Sequence, residues 1–293
     1  MPVILTFNDY LKPAQALGIE LGMPCSVVST HRFPDNELLL RLPGPVAAHT
    51  LLYRSLDDPD RKLIELIWAA EAARDAGARR LSLIVPYLCY MRQDKAFHPG
   101  EAVSQRILAR LLGSYFDDLV TVDPHLHRVQ SLAQVFPQTR TVTLSATAEI
   151  ASYLAQHTSD PVIVGPDEES RQWVEAIAGS YGFDFLVATK QRHGDREVAI
   201  QLPEFDCHGR NMVIVDDMVS TGHTVAQIAR LLQSAGAGSI RLAVTHALFC
   251  QGAETLIRSA GVVDLWSADT LVHASNRFAM TGLLAAAVRD RLS

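Results

Sequence analysis

Basic charge is scarce in this 293-residue chain, which has 26 Lys plus Arg against 32 Asp plus Glu and a formal net charge of −6. A surface that tracks nucleic-acid phosphates needs a clustered basic excess, so nucleic acid is not expected as the main partner. No stretch approaches the ~18 consecutive apolar residues of a membrane span, and the opening MPVILTFNDY has no basic leader region. A soluble, untargeted, cytoplasmic protein without a membrane partner is expected. Cysteine is also sparse: Cys25, Cys89, Cys207 and Cys250 lie far apart, without metal-ligand spacing or the density of a disulfide scaffold. Low-complexity segments are missing, as are the Walker-A string, the GxGxxG fingerprint and the GxSxG nucleophile elbow. A nucleotide site would have to be built some other way.

Apolar residues make up 48% of the chain and charged residues 20%, enough for a sizeable core, and the length suggests two domains. Short β-branched runs alternate with helical patterns: Leu81 to Val85, Leu119 to Val122, Val162 to Val164, Met212 to Val215, Leu242 to Thr245 and Val262 to Leu265. That alternation reads as βαβ units, and the nearly all-apolar strands should be buried on both faces of a doubly wound α/β architecture. Asp58-Pro59 opens a helix that reaches Ala76 and stops at Gly77, and another runs from about Thr224 to Ser234. Ser26 to Phe33, Glu37 to Leu42 and Thr50 to Tyr53 crowd around Pro43-Gly44-Pro45, which reads as an antiparallel hairpin at a sheet edge. The pattern is lost after Val135 and a helix begins after Ser145. The expected domains are therefore 1–144 and 145–293, with the last helix free to return to the first, and the similar halves hint at duplication.

The strongest chemical signal is Val213 to Thr224, VIVDDMVSTGHT, read as a buried strand that ends in two acids and passes through a Ser/Thr/Gly loop into a helix. A helix N-terminus presents unpaired N–H groups and positive dipole, so Ser220, Thr221, Gly222, His223 and Thr224 can cradle a phosphate, with Gly222 allowing close backbone approach. Asp216 and Asp217 can accept from vicinal hydroxyls or hold a metal that does so. Together these pieces describe a sugar-phosphate site. For any one residue an ordinary capped turn is the plainer explanation, but for the whole string it is not.

This string resembles the 5-phosphoribosyl-1-pyrophosphate (PRPP) binding motif of the phosphoribosyltransferase superfamily. Further segments resemble the ribose-phosphate pyrophosphokinases, in order, over nearly the whole chain. The resemblance implies two phosphoribosyltransferase-like domains, each a mainly parallel sheet flanked by helices. In Phe33-Pro34-Asp35-Asn36-Glu37 it assigns Phe33 to stacking on the adenine of a neighbouring subunit's ATP, and Asp35 and Glu37 to hydrogen bonding. In VPYLCYMRQDK, Arg92 and Gln93 become ATP contacts, as the bidentate fork of Arg suits phosphate. His125 of VTVDPHLH corresponds to a residue at the metal of Mg-ATP, whereas His127 reads as structural. Zinc is disfavoured, because these two histidines have no third ligand at suitable spacing. Asp167 of VIVGPDEES would lie along the ribose and help place the metal, with Glu168 and Glu169 as first-turn helix acids. Lys190 and Arg192, in TKQRHGDREV, match the Lys-x-Arg signature of the mobile catalytic loop, where they would neutralise the transferring phosphoryl group.

The implied reaction converts ATP and ribose 5-phosphate to AMP and PRPP with Mg2+, in a homo-oligomer built as a dimer or from dimers. The chain departs from many bacterial members at His223, usually a small residue, and at Glu168-Glu169, usually glycines. There and in AFHPGEAVS it looks more like archaeal or divergent members. Three other readings stay open: an altered substrate, a catalytically silent regulatory paralogue, and a PRPP-consuming phosphoribosyltransferase. The last has no use for ATP-side motifs, and the silent paralogue usually loses the loop cations.

Overall fold

The computed structural model describes residues 2–126, 128–193 and 197–292. The chain divides into two compact units, one of residues 1–144 with 281–293 and one of residues 145–280.

The first unit runs β1 (Val3–Thr6), α1 (Leu11–Leu21), β2 (Cys25–Val27), β3 (Ser29–Arg32), β4 (Leu38–Arg41), β5 (His49–Tyr53), α2 (Pro59–Asp75), β6 (Arg80–Ile84), α3 (Ser104–Gly113), β7 (Asp118–Val122), α4 (Leu132–Val135) and β8 (Arg140–Leu144). Six strands form a parallel sheet in the order β2-β1-β5-β6-β7-β8. One face of it sends Leu5, Leu52, Leu83 and Leu119 into a core with Leu66 and Ala73 of α2 and Leu108 and Leu112 of α3. That burial on a helix-covered sheet explains the continuous apolar runs. Helix α2 begins on Pro59 and ends before Gly77, whose φ of 104° suits glycine.

Two expectations need correction here. The antiparallel hairpin is β3 paired with β4, a separate two-stranded sheet turning at residues 33–37 rather than at Pro43-Gly44-Pro45. Thr50 to Tyr53 forms the buried part of β5, a strand of the parallel sheet. The Pro-rich stretch is only the connection to it, since a buried ladder overrides a local turn signal. The patternless stretch after Val135 holds β8, paired in parallel with β7 at the sheet edge. An edge strand with exposed Arg140 and Thr143 carries little apolar signal.

The second unit runs α5 (Thr147–His157), β9 (Pro161–Gly165), α6 (Arg171–Tyr181), β10 (Asp184–Val187), the antiparallel pair β11 (Thr189–His193) and β12 (Glu197–Gln201), β13 (Asn211–Val219), α7 (His223–Ser234), β14 (Ser239–Ala247), α8 (Ala253–Ser259), β15 (Val262–Ala268) and β16 (Asn276–Phe278). Its parallel sheet is ordered β10-β9-β13-β14-β15-β16, the same winding as the first. The shared order gives the hint of duplication a topological form. The last helix, α9 (Thr281–Leu292), belongs to the first unit and packs on α1.

In both sheets the chain goes first to one side of the starting strand and then to the other. The switch points lie between β1 and β5 and between β9 and β13, and crevices at such points, outside the strands' C-terminal ends, are where open α/β sheets bind ligands.

Candidate functional site

At the β9/β13 switch point the structure brings together Asp167, Asp216, Asp217 and the loop from Ser220 to Thr224. Strand β13 does not stop at the acids as the apolar run suggested. It continues to Val219, and β14 follows it with Asp216 opposite Val244 and Met218 opposite His246. Buried Met218 and Val219 carry the ladder past the carboxylates, so both acids are held on a strand rather than on a loose loop. Asp217 is buried and its Oδ1 accepts from Met218 N at 2.8 Å, while Asp216 Oδ1 accepts from Asp217 N at 3.0 Å.

Desolvation by burial and the nearby charges of Asp217 and Asp167 push the Asp216 carboxyl well above the usual carboxylate range. Such crowding of anions is what a cation or a hydroxyl-bearing ligand relieves. Asp167 caps the turn that leads into α6, its Oδ1 accepting from Glu169 N at 3.1 Å and Ser170 N at 3.3 Å. Capping is thus a role that the sequence reading had not given it. Glu168 is exposed and paired with Arg171 at 2.5 Å, as a first-turn acid.

The N-cap of α7 is Gly222, which has no side chain with which to accept from the first-turn N–H groups. Thr221 and His223 are exposed, Ser220 and Thr224 half-buried. Gly222 sits at φ 78°, and a Cβ there would come within 2.8 Å of Ile257 Cδ1. The glycine is therefore required by backbone conformation and by the close approach of α8, as well as by any phosphate. Behind the loop, Phe249 N donates to Val219 O and Cys250 N to Ser220 O, both at 2.9 Å. This second layer of Phe249, Cys250 and Ile257 was not foreseen, because neither spacing nor motif links it to the phosphate loop.

In the first unit the segments read from the sequence as ATP-side motifs lie at the C-terminal ends of the sheet's strands. Arg92 and Gln93 follow β6, His125 follows β7, and the two strands are paired. Arg92 is exposed, and Gln93 and His125 are half-buried. The two loops are tied by buried Asp94, which accepts from Arg128 Nη1 at 2.5 Å. Neither partner had been singled out beforehand. The hairpin leaves β2 at the same end and carries Phe33, 41% exposed, at its tip. There Asp35 Oδ1 accepts from Glu37 N at 3.1 Å and Phe33 N donates to Glu37 O at 2.9 Å, which holds the turn closed. The backbone of residues 190 and 192 lies in β11, opposite Ile200 and Val198 of β12. The side chains of Lys190 and Arg192, and all of His127, lie outside the described residues.

Among the described residues no three His, Cys, Asp or Glu side chains close on one metal ion. The observation to set beside a cation is the crowding of Asp167 and Asp217 around Asp216, which raises the Asp216 pKa.

Two family models match, the N-terminal domain of ribose phosphate pyrophosphokinase over residues 3–115 and the phosphoribosyl transferase domain over residues 143–269. A ribose-phosphate pyrophosphokinase of Methanopyrus kandleri is 35% identical, covering 98% of this chain and 99% of the relative. One from Methanosarcina mazei is 36% identical over 94% of this chain and 90% of the relative. The crystal structure of phosphoribosylpyrophosphate synthetase from Mycobacterium smegmatis superimposes with a TM-score of 0.83 at 24% identity, covering 98% and 97% of the two chains, which establishes the fold.

Proposed function

Because the chain belongs to the ribose-phosphate pyrophosphokinase family, we propose that it transfers the pyrophosphoryl group of ATP to the C1 hydroxyl of ribose 5-phosphate, giving PRPP and AMP for nucleotide biosynthesis. The observation that carries this reading is the second switch point, where carboxylates on β13 stand next to an uncapped helix N-terminus. Asp216 and Asp217 accept from the ribose hydroxyls, or hold the ion that does. Ser220 to Thr224 takes the 5-phosphate on backbone N–H groups, with hydroxyls refining the fit.

Phe33, Asp35 and Glu37 read the adenine, and Arg92 and Gln93 hold the polyphosphate and nucleotide. The hydroxyl oxygen at C1 attacks the β-phosphorus and its proton passes to solvent water, the bond from that phosphorus to the α-phosphate oxygen breaks, and AMP leaves with the bonding pair. Lys190 and Arg192 neutralise charge on the transferring group, so their effect falls on the transition state. His125 and Asp167 are the residues assigned to Mg2+, which supplies charge neutralisation to the polyphosphate when bound. The working protein is a homo-oligomer built on dimers, and it acts in the cytoplasm. No helix among the described residues is long and apolar enough to cross a membrane, and all four cysteines are free thiols.

Phosphorus NMR of the protein with Mg-ATP and ribose 5-phosphate tests the reaction. AMP and a C1 pyrophosphate should appear in equal amounts; ADP with a monophosphorylated sugar would show a simple kinase and overturn the assignment.

A further inference from the structure

Long charged side chains are seldom buried, because an unpaired charge in the interior is costly. The first unit nevertheless buries three of them at its own switch point: Arg54 at the end of β5, and Lys62 and Glu65 on α2, each no more than 3% exposed. They answer one another and the edge of the crevice. Arg54 Nη2 meets Asp9 at 3.0 Å, and Arg54 Nη1 lies 2.7 Å from Glu65 Oε2, an ion pair not aligned as a hydrogen bond. Lys62 Nζ reaches Asp57 at 2.6 Å and Asp9 at 3.2 Å, and the Tyr10 hydroxyl donates to Asp57 at 2.6 Å. The guanidinium of Arg54 also lies over the Phe7 ring at 3.9 Å. In the second unit the equivalent crevice collects carboxylates. Here the carboxylates are paired with the chain's own buried cations, so the crevice is a fixed point of the fold.

The β3–β4 hairpin depends on that fixed point. An isolated two-stranded hairpin is marginal in water, and every residue of β3 is exposed. Leu40 and Leu42 pack on the core from the β4 side, and Leu38 is buried. A further tie is Arg32, whose fork donates to Asn36 O inside the turn at 3.1 Å and to Glu65 Oε1 at 3.0 Å. One rigid planar group thus joins the turn to the buried network.

We propose that the Arg32–Glu65 pair is a positioning device that sets the pose of Phe33, Asp35 and Glu37 towards the nucleotide, so that Arg32 governs ATP affinity without touching ATP. This rests on the reading of the hairpin tip as nucleotide-binding.

The test compares Arg32→Gln, Arg32→Lys, Phe33→Ala and the Arg32→Gln/Phe33→Ala double variant in steady-state kinetics and thermal melts. Arg32→Gln should raise the KM for ATP about tenfold, the equivalent of one hydrogen bond to a charged group. Its kcat and its KM for ribose 5-phosphate should stay within about twofold of the parent. Its melting temperature should barely move, since Arg32 lies on an exposed strand. Arg32→Lys keeps the ion pair but loses the second donor, and should recover part of the affinity. The double variant should lose less ATP affinity than the sum of the two single losses, because part of the Arg32 effect runs through Phe33.

A normal KM for ATP in Arg32→Gln beside a weakened Phe33→Ala overturns the proposal while leaving the tip reading intact. Additive losses would show that Arg32 contacts the nucleotide itself, and a shared fall of kcat, both affinities and melting temperature would reduce the pair to a folding role. Normal ATP affinity in Phe33→Ala removes the tip reading and the proposal with it.

Discussion

Burial and the charges of Asp217 and Asp167 raise the carboxyl pKa of Asp216, so the folded protein binds this proton more tightly than the unfolded chain does. Stability from this group is therefore lost as pH rises from the unfolded carboxylate value, about 4, through the raised folded value. Asp216→Asn should melt a few degrees higher than the parent at neutral pH without substrates, with a flatter dependence above pH 5, and should lose activity. Added Mg2+ should raise the parent's melting temperature more than the variant's; identical melts would mean that Asp216 bears no strain. Gly222 makes a different prediction. Its φ of 78° and the 2.8 Å approach of Ile257 mean that Gly222→Val lowers stability as well as ribose 5-phosphate binding. Thr221→Ala, on an exposed hydroxyl, should leave the fold intact and cost ~1 to 2 kcal/mol of that binding by calorimetry. The acids, the glycine and the hydroxyls were all readable as a contiguous string. Asp167's second duty as a cap was not, nor was the wall that α8 makes behind Gly222, since both depend on neighbours the string does not contain.

Helices and strands were legible to the extent that their burial is continuous. Helix α2 and the runs that became β6, β7 and β9 could be read from periodicity and punctuation. Polar β8 and the prolongation of β13 could not, because edge exposure and carboxylates dilute the apolar signal. The hairpin was expected in the right region with the wrong turn. Its partner on α2 was invisible, as Lys62 and Glu65 look like ordinary surface charges in RKLIEL. Their burial has a measurable consequence. Glu65→Ala leaves Arg54, 2% exposed, with Asp9 as its remaining anion, and should destabilise the first unit by about 3 kcal/mol in urea unfolding. A change near zero, as at an exposed pair, would show that the network is freely solvated.

Two units with the same strand order allow one switch point to be specialised for ligand and the other for structure, and a hairpin that works in a neighbouring subunit would make assembly part of the active site. Lys190→Ala should lose about 10²- to 10³-fold in kcat, as for removal of one transition-state cation. Mixed with Phe33→Ala under subunit exchange at limiting ATP, it should regain activity. Random pairing in a two-site dimer leaves about a quarter of the sites with both residues intact. No recovery from freely exchanging subunits would mean that the hairpin serves its own chain. The α/β class, the parallel sheets, the Ser/Thr/Gly loop entering α7 and the family were all within reach of the chain read residue by residue, because each is written in contiguous stretches whose periodicity or residue types are local. Which strand ends stand side by side, that one crevice crowds carboxylates together while the other pairs its carboxylates with Arg54 and Lys62, and that the Asp216 pKa is pushed up all wait on folding. Sheet order and desolvation are set by residues far apart in the chain, and no local pattern carries them.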